Sequence, residues 1–438
     1  MMQNNILIVG SGAREHIIAK TIKKSSEVDK IFCIGSNINP GIKGLCTKFF
    51  LGDINDPYFV LQIALDHLIT MAIIGPENPL LFGVSDFLSE ANIKVIGPKK
   101  NLAQIETSKT FTRNLFKEYN IPGSPKFKSF QSMKGVKDYL FEIGNNYVVK
   151  YDGLAGGKGV KVSGDHLKSY DDAIKFCKSI VKKGGSFLIE EKFIGEEFSL
   201  MCFCDGTTIK HMPAVQDHKR AYEDDKGPNT GGMGTYSDAD HSLPFLSKFE
   251  LEEAKSINAA TASALMDKFG EGYVGILYGG FMCTRNGVKL IEYNARFGDP
   301  EVLNVLSILK TDFFNICQAI TNRTLDQIDI EFENKATVCK YAVPEGYPDD
   351  PIKGERIFIS KENIDNGLFF ASVDLKDDSF IESGSRTIAS IGVGNTITKA
   401  ELISEKKIKN VKGPLFHRKD IGTDRLIQKR IKFMDSLR

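Results

Sequence analysis

The sequence predicts an α/β protein, with mixed α+β character in places, that has a parallel sheet near its N-terminus and a small β-rich C-terminal domain. In the N-terminal part, short apolar runs that each precede a glycine alternate with helical patterns. The runs span residues 6–9, 31–34, 72–74 and 94–96, and the helical patterns span residues 15–24 and 79–90. This alternation is typical of βαβ units, whose strands are parallel. Beyond Leu325 the chain changes to short alternating runs separated by turns, which predicts a small β-rich final domain.

The central part of the chain mixes strands, helices and one long polar segment. Helical patterns cover residues 108–119, 171–181 and 248–269, and strand patterns cover 274–284, 288–294 and most of 147–209. Residues 216–241 are polar and rich in glycine, so we expect a long loop there, either functional or disordered. A length of 438 residues accommodates about two to four domains. We place the domains at residues 1–101, 102–326 and 327–438.

Composition excludes several classes of function. A formal net charge of +1 gives no bulk electrostatic attraction to nucleic acid or to a membrane. No apolar stretch approaches the ~20 residues of a membrane span, and the N-terminus lacks the pattern of a signal peptide. The eight cysteines form no CxxC pair, so we expect buried free thiols and a reducing cytoplasm.

The turn from Gly10 to Glu15 follows a strand and opens a helix, which directs backbone N–H groups at an anion. Gly12 and Arg14 lie within it, and Arg14 adds a charged donor for a phosphate. A dinucleotide site is disfavoured because Glu15 stands where the third glycine belongs and strand two ends without an acid. A phosphate-bearing ligand and a merely tight turn both remain open.

A glycine-rich hairpin surrounds a pair of lysines in YVVKYDGLAGGKGVKV, residues 147–162. It fails the P-loop pattern, because the first glycine falls on Asp152 and the Ser/Thr falls on Gly159. Lys150 ends a strand and Lys158 lies in the turn, and the turn glycines can bring the backbone close to a triphosphate. A flexible hairpin with solvated lysines is the alternative. The turn glycines are Gly153, Gly156, Gly157 and Gly159.

Other clusters of polar residues suggest a metal and an anionic substrate. Strand alternation places Glu292 and Asn294 on one face, where their hard oxygens suit Mg²⁺ with phosphate, although a surface strand would look similar. Arg296 follows them and could orient an anion or stabilise phosphoryl charge. Residues 216–234 contain acidic and basic side chains beside glycines, which suits a substrate that carries both charges. His218 is either a general base or a structural residue.

These segments, in this order along essentially the whole chain, resemble the ATP-grasp superfamily and, within it, the phosphoribosylamine–glycine ligase (glycinamide ribonucleotide synthetase) family of purine biosynthesis. DHKR followed by GPNTGGMG and then RFGDPE is the most specific part. The resemblance is carried by LIVGSGAREH, IIGPENPL, SKTFTRNLFKEYNIP, VVKYDGLAGGKGV, IEEKFIGEE, QDHKR, GPNTGGMGTYS, IEYNARFGDPE, SGSRTIASIGVG and FHRKDIG.

The resemblance implies an ATP-grasp fold in residues 102–326, with a mobile lid at about 120–190 and a substrate-side N-terminal domain. ATP and Mg²⁺ (or Mn²⁺) would be the cofactors, and Glu292 and Asn294 would ligate the metal. The implied ATP contacts are Lys109, Lys150, Gly153, Gly156, Gly157, Lys158, Gly159, the adenine hinge with Glu190, Glu191 and Phe193, and Glu196 or Glu197 on the ribose.

The same resemblance implies sites for glycine and 5-phosphoribosylamine, with no nucleic-acid or membrane partner and a monomeric state. Catalytic roles fall to Arg296, Asp217, Lys219 and Arg220. Residues toward the substrates are Gly10, Gly12, Arg14, Glu15, Pro76, Glu77 and Asp299.

Two features depart from the family pattern. Lys192 occupies a hinge position that is often apolar, which leaves the adenine-contacting group uncertain by about one position. The strand at residues 276–284 supplies no carboxylate, so an additional acidic metal ligand is missing there.

The implied reaction joins glycine to phosphoribosylamine through glycyl phosphate, with ATP converted to ADP and phosphate. Three alternatives remain. They are a purine-pathway ATP-grasp ligase or carboxylase with another acid substrate, a nucleotide-binding module without catalysis, and a dinucleotide-dependent oxidoreductase. The segment DHKR…GPNTGGMG disfavours the first, and the missing acid after strand two disfavours the last.

Overall fold

We describe a computed structural model of the chain, which covers residues 3–156, 159–360 and 367–438. The N-terminal strands form a parallel sheet of five strands in the order β3-β2-β1-β4-β5. The strands are β1 (Asn5–Val9), β2 (Lys30–Gly35), β3 (Lys48–Leu51), β4 (Met71–Ile74) and β5 (Lys94–Ile96). β1 and β4 are buried along their whole length, as expected for central strands covered on both faces. The predicted parallel sheet is confirmed.

Six helices accompany this sheet. They are α1 (Ala13–Ile22), α2 (Pro40–Leu45), α3 (Pro57–Asp66), α4 (Glu77–Leu81), α5 (Val84–Glu90) and α6 (Lys100–Thr107). The single helix predicted over residues 79–90 is wrong, because Gly83 adopts φ +82° and divides it into α4 and α5. Left-handed backbone at this position interrupts the helical hydrogen bonds and lets the chain change direction.

The central part of the chain contains two separate antiparallel sheets of four strands. The first, in the order β6-β9-β7-β8, has its own apolar core with α8 and α9, whereas the second, β11-β10-β16-β17, packs against α10. Their elements are α7 (Lys109–Glu118), β6 (Phe127–Phe130), α8 (Val136–Ile143), β7 (Tyr147–Tyr151), β8 (Val160–Val162), α9 (Tyr170–Lys182), β9 (Phe187–Glu191), β10 (Gly195–Asp205), β11 (Ile209–His211), α10 (Lys248–Phe269), β16 (Val274–Thr284) and β17 (Gly287–Asn294).

The polar segment at residues 216–241 contains short strands, so the prediction of a long loop is wrong in this respect. The strands are β12 (Gln216–Asp217), β13 (Arg220–Tyr222), β14 (Lys226–Asn229) and β15 (Gly234–Ser237). β13 pairs with β14, whereas β12 pairs with β15. β15 also pairs with β18 (Ala336–Pro344), a strand of the C-terminal part. The segment is therefore built into the C-terminal sheet.

The C-terminal part is β-rich, as predicted, and its sheets are antiparallel, but its described residues also hold two helices that the sequence patterns did not indicate. Its remaining strands are β19 (Arg356–Ile357), β20 (Leu368–Phe370), β21 (Val373–Lys376), β22 (Ser379–Glu382), β23 (Ile388–Gly394) and β24 (Leu415–Phe416). The helices are α13 (Ile397–Ile408) and α14 (Asp424–Leu437), and α11 (Glu301–Ser307) and α12 (Phe313–Asn322) precede the domain. Within the described ranges, no helix has the length and apolarity that crossing a lipid bilayer requires.

Candidate active site

A small cavity of about 20 Å³ lies where the second central sheet meets the segment at residues 216–237. Charged residues of β10, β12 and β17 line it together with Lys219, which follows β12. The cavity is therefore formed by parts of the chain that are distant in sequence. It is lined by Glu197, Phe198, Ser199, Asp217, Lys219, Tyr278, Gly280, Ile291 and Glu292. The structure thus brings together four predicted site residues, Glu197, Asp217, Lys219 and Glu292.

Glu292 offers a carboxylate that is committed to no hydrogen bond among the described residues, although it borders this cavity. Burial alone would raise the pKa of Glu292, but the positive charges of Lys219, Lys109 and Lys150 outweigh burial and lower it. The group is therefore ionised and available as an oxygen ligand. Asn294, two residues along the strand, accepts a hydrogen bond at its Oδ1 from Arg296 at 3.0 Å.

Arg296 is held from several sides. Its Nη2 lies 3.1 Å from Oε1 of Glu106, and its Nε lies 3.4 Å from Oε2 of Glu77. Glu106 also accepts a 2.7 Å hydrogen bond from the backbone N–H of Ala295. Burial, opposed by Arg296, raises the pKa of Glu106 to about 7. Sequence reasoning missed Glu106. This residue lies near the end of α6 and connects that helix to Ala295, directly after β17.

Lys150 lies in a buried cluster with Glu190 and Arg113. Its Nζ is 2.8 Å from Oε2 of Glu190 and donates to the carbonyl of Ile291 at 2.9 Å. Arg113 binds the same carboxylate through Nε at 2.8 Å and through Nη2 at 3.1 Å. Burial opposes ionisation of Glu190, yet Arg113 and Lys150 lower its pKa to about 2. The Glu190 carboxylate is thus engaged, and its backbone lies opposite Phe127 and Val148 within the sheet β6-β9-β7-β8.

Lys109 and the glycine-rich hairpin are in contact. The Nζ of Lys109 donates to the carbonyl of Gly153 at 3.0 Å. Asp152 accepts hydrogen bonds from Ser108 Oγ at 3.2 Å and from the N–H of Thr110 at 3.1 Å. The hairpin therefore docks on the N-terminus of α7. Gly156 and Gly159 lie in the same turn, and the predicted contacts Gly157 and Lys158 lie outside the described residues.

The two carboxylates proposed for the ribose point in different directions, because neighbouring residues of a strand face opposite sides. Glu197 lines the cavity and lies 2.7 Å from Nζ of Lys219. Glu196 faces away, where its carboxylate binds Gln216 Nε2 at 3.1 Å and approaches Arg430 at 3.4 Å. The geometry favours Glu197 for a ligand in the cavity. Glu191 is the last residue of β9, and Phe193 lies in the connector between β9 and β10.

The DHKR residues also divide between two sides. Asp217 lines the cavity, whereas Arg220 donates to the carbonyl of Gly227 at 2.9 Å and lies 3.2 Å from Asp165. Burial and the neighbouring carboxylate of Glu301 raise the pKa of Asp217. His218 is buried, with Nδ1 3.2 Å from the carbonyl oxygen of Gly234, which supports the structural interpretation of this histidine. Arg220 is not brought into the cavity.

The N-terminal turn meets the loop that carries Asp299. Arg14 donates from Nη1 to the carbonyl of Phe297 at 3.2 Å, and a side chain at Gly12 would reach Asp299. Glu15 accepts from the N–H of Gly12 at 2.5 Å and from Nε of Arg14 at 2.6 Å. The N–H group of Gly12, just before α1, is therefore already satisfied by a side chain. Gly10 and Pro76 pack beside Glu15 in the same place.

Sequence reasoning missed the partners that hold these residues. Arg113 and Glu106 lie near Lys109 in sequence but bind residues far along the chain. Arg386 lies in SGSRTIASIGVG, a segment that contributes to the family resemblance but indicates no individual role for this arginine. None of the three lies in an otherwise apolar element, since α6, α7 and the turn before β23 are rich in polar residues, so no local sequence signal marks them.

Comparisons with known proteins cover nearly the whole chain. Family profiles of phosphoribosylglycinamide synthetase match residues 4–106 (N domain), 107–302 (ATP-grasp (A) domain) and 337–424 (C domain). The phosphoribosylamine–glycine ligase of Methanocaldococcus jannaschii is 50% identical over 443 residues, covering 99% of each chain. That of Methanococcus vannielii is 48% identical over 442 residues, also with 99% of each chain covered.

Solved structures agree with the sequence comparisons. The crystal structure of phosphoribosylamine–glycine ligase from Thermotoga maritima superposes with a TM-score of 0.80 at 27% identity, covering 95% of this chain and 99% of that one. An N5-carboxyaminoimidazole ribonucleotide synthetase in complex with ADP shares the fold at a TM-score of 0.62 and 14% identity. With its three domain profiles, its close relatives and its ATP-grasp architecture, the chain belongs to the phosphoribosylamine–glycine ligase family.

Proposed function

We propose that the protein joins glycine to 5-phosphoribosylamine in purine biosynthesis, with ATP converted to ADP and phosphate. Family membership supports the choice of substrates. The observation that carries the proposal is the cavity lined by Glu292, which has no hydrogen-bond partner among the described residues, and by Lys219, with Lys109 and Lys150 close enough for their charges to lower the pKa of Glu292. Such a site combines a metal ligand with counter-charges for phosphate, as phosphoryl transfer requires.

The reaction would proceed in two steps, with no enzyme nucleophile. The glycine carboxylate attacks the γ-phosphorus of ATP and forms glycyl phosphate and ADP. The amine of phosphoribosylamine then attacks the acyl carbon, forms the amide and expels phosphate. Lys109 and Lys150 would hold the transferring phosphates, and Lys219 with Glu197 would border the nucleotide. Catalysis rests on positioning and on neutralised charge.

A divalent cation fits the available oxygen donors. Glu292 has a free carboxylate, and Asn294 Oδ1 has a second lone pair beyond its bond to Arg296. No group of three or more His, Cys, Asp or Glu residues within the described ranges could hold a metal, so phosphate oxygens and water would complete the shell. A bound Mg²⁺ (or Mn²⁺) would supply charge neutralisation at the phosphates. Arg296 orients Asn294 whether or not a cation is present.

The roles of the domains follow from the same proposal. The sheet β6-β9-β7-β8, with its own core, would act as the lid at about residues 120–190, and residues 1–101 would face phosphoribosylamine. Closure of the lid would exclude water, which would otherwise hydrolyse the acyl phosphate. Eight free thiols, seven of them buried, favour a reducing compartment such as the cytoplasm.

The direct test measures ADP release with ATP, Mg²⁺, glycine and freshly prepared phosphoribosylamine, and then omits each component in turn. We expect ADP to appear at full rate only when all four are present. ADP release that does not depend on glycine contradicts the assignment. Turnover with bicarbonate or formate in place of glycine would instead indicate a related ATP-grasp enzyme.

A further inference from the structure

Arg386, from the C-terminal domain, reaches the segment that borders the cavity. It precedes β23 by two residues, and its Nη1 donates to the carbonyl of Gly231 at 2.5 Å, of Gly232 at 3.3 Å and of Asp299 at 2.8 Å. Its Nη2 lies 3.2 Å from Oδ2 of Asp299. One guanidinium thus joins two loops that are far apart in the chain.

The same loops carry residues proposed for substrate binding. Asp299 is itself a proposed substrate residue, and its other carboxylate oxygen, Oδ1, accepts a 2.6 Å hydrogen bond from the hydroxyl of Tyr341. Gly232 has φ +106°, and a Cβ there would lie 2.7 Å from Oδ1 of Asp217. The backbone that Arg386 holds therefore packs directly against Asp217, so a shift of this loop displaces that carboxylate.

The contact suits arginine and no other residue type. The guanidinium stacks 4.5 Å from the ring centroid of Tyr341, while its side chain is only 16% exposed. A guanidinium carries five N–H donors in a planar fork, so it can serve carbonyls and a carboxylate at once. A lysine ammonium at this position would keep the charge but would lose the stacking on Tyr341 and the planar fork of N–H donors.

We propose that Arg386 is a positioning residue that fixes Asp217 and Asp299 for the two substrates other than ATP. The proposal rests on the proposed function for the identity of those substrates. It assigns to the C-terminal domain a part in the site, although Arg386 itself lines none of the cavity. The proposed ATP contacts Lys109, Lys150 and Glu197 lie on α7, β7 and β10, and Arg386 bonds to none of them.

The kinetic test compares Arg386→Lys and Tyr341→Phe with the parent enzyme. We expect Arg386→Lys to raise KM for glycine or phosphoribosylamine by about tenfold, the size of one lost charge-assisted hydrogen bond, while KM for ATP stays within about twofold. Tyr341→Phe keeps the ring and removes the bond to Asp299, so we expect a smaller change of the same kind. Equal rises for all three substrates, or no rise, would overturn the proposal.

Hydrogen exchange provides a readout that does not depend on the reaction. Arg386→Lys should accelerate exchange of amides in residues 230–234 at least about tenfold and leave the sheet β6-β9-β7-β8 unchanged. The matched control is Arg425→Lys, which alters an exposed ion pair with Asp224. Unchanged exchange at residues 230–234 contradicts the proposal. If the parent enzyme instead shows no glycine-dependent ADP release, the proposed function fails while this measurement still tests the contact.

Discussion

The carboxylate of Glu292 is flanked by lysines and by Asn294, and its place on the strand makes it the proposed metal ligand. We expect Glu292→Ala to abolish turnover, because the site would lose the carboxylate that is proposed to hold the divalent cation. In Glu292→Gln, the Mg²⁺ concentration for half-maximal rate should rise at least about tenfold. ADP release measured over a Mg²⁺ titration checks both. Normal Mg²⁺ dependence in Glu292→Gln would remove the residue from the metal site.

Glu190 is buried between two cations, so its contribution to the free energy of unfolding depends on pH. We expect Glu190→Gln to lower the free energy of unfolding at pH 7 by about 3–5 kcal/mol, because Arg113 and Lys150 lose their counter-charge. The folded pKa is about 2 against a usual 4.5, so the carboxylate stabilises the protein above pH 4.5 and loses this effect as the pH falls toward 2.

Urea unfolding at a series of pH values checks this behaviour. The difference between the parent and Glu190→Gln should be constant from pH 7 to about 5 and should shrink below that. Glu118→Gln, which alters an exposed ion pair with Lys268, serves as the control and should change stability by less than about 1 kcal/mol. A difference that grows on acidification would contradict the prediction.

How far single residues can be predicted depends on where their partners lie. Alternation along one strand is a local property, so the placement of Glu292 and Asn294 together was accessible from the sequence. Glu106 lies 189 positions from Ala295, and Arg386 lies 155 positions from Gly231. No local pattern encodes such pairs, since the rest of the fold must first bring the two segments together.

At the scale of elements, β10 displays Glu196 and Glu197 on opposite faces. We expect Glu197→Gln to raise KM for ATP by about three- to tenfold, because the side chain borders the cavity and pairs with Lys219. Glu196→Gln should leave KM for ATP unchanged, since its carboxylate faces Arg430 and Gln216. Steady-state kinetics over an ATP series distinguishes the two variants. An equal effect of both would mean that the ribose lies elsewhere.

Elements with clear end signals were well predicted. α10 begins after Ser247, whose Oγ accepts from the N–H of Glu250, and ends at Gly270 in the left-handed conformation. The segment at residues 216–241 lacked such signals. Its strand β15 pairs with β18, about one hundred residues later in the chain, so glycine and polar content alone indicated a loop.

At the scale of the whole molecule, Arg418 joins the C-terminal domain to the central segment. It is buried, binds Asp420 through Nε at 2.9 Å and Nη2 at 2.8 Å, and donates to the carbonyl of Arg220 and to Asp225 at 3.1 Å each. We expect Arg418→Met to lower the free energy of unfolding by about 3–5 kcal/mol.

Urea unfolding followed by circular dichroism checks this value, with Arg425→Met as the exposed counterpart. Arg425 is 62% exposed in its pair with Asp224, so its loss should cost less than about 1 kcal/mol. Similar free energies of unfolding for the two variants would show that Arg418 contributes no more to stability than an exposed ion pair does.

The pairing of β15 with β18 has a consequence for how the polypeptide can be divided. A fragment that stops near residue 327 would carry β15 with one side of its backbone hydrogen bonds unmet, and a fragment that starts there would lack a neighbour for β18. Each piece would present a bare edge open to self-association. The C-terminal region is consequently not an independent folding unit. Expressing the two parts as separate polypeptides divided at that junction should give insoluble products unless both are produced together.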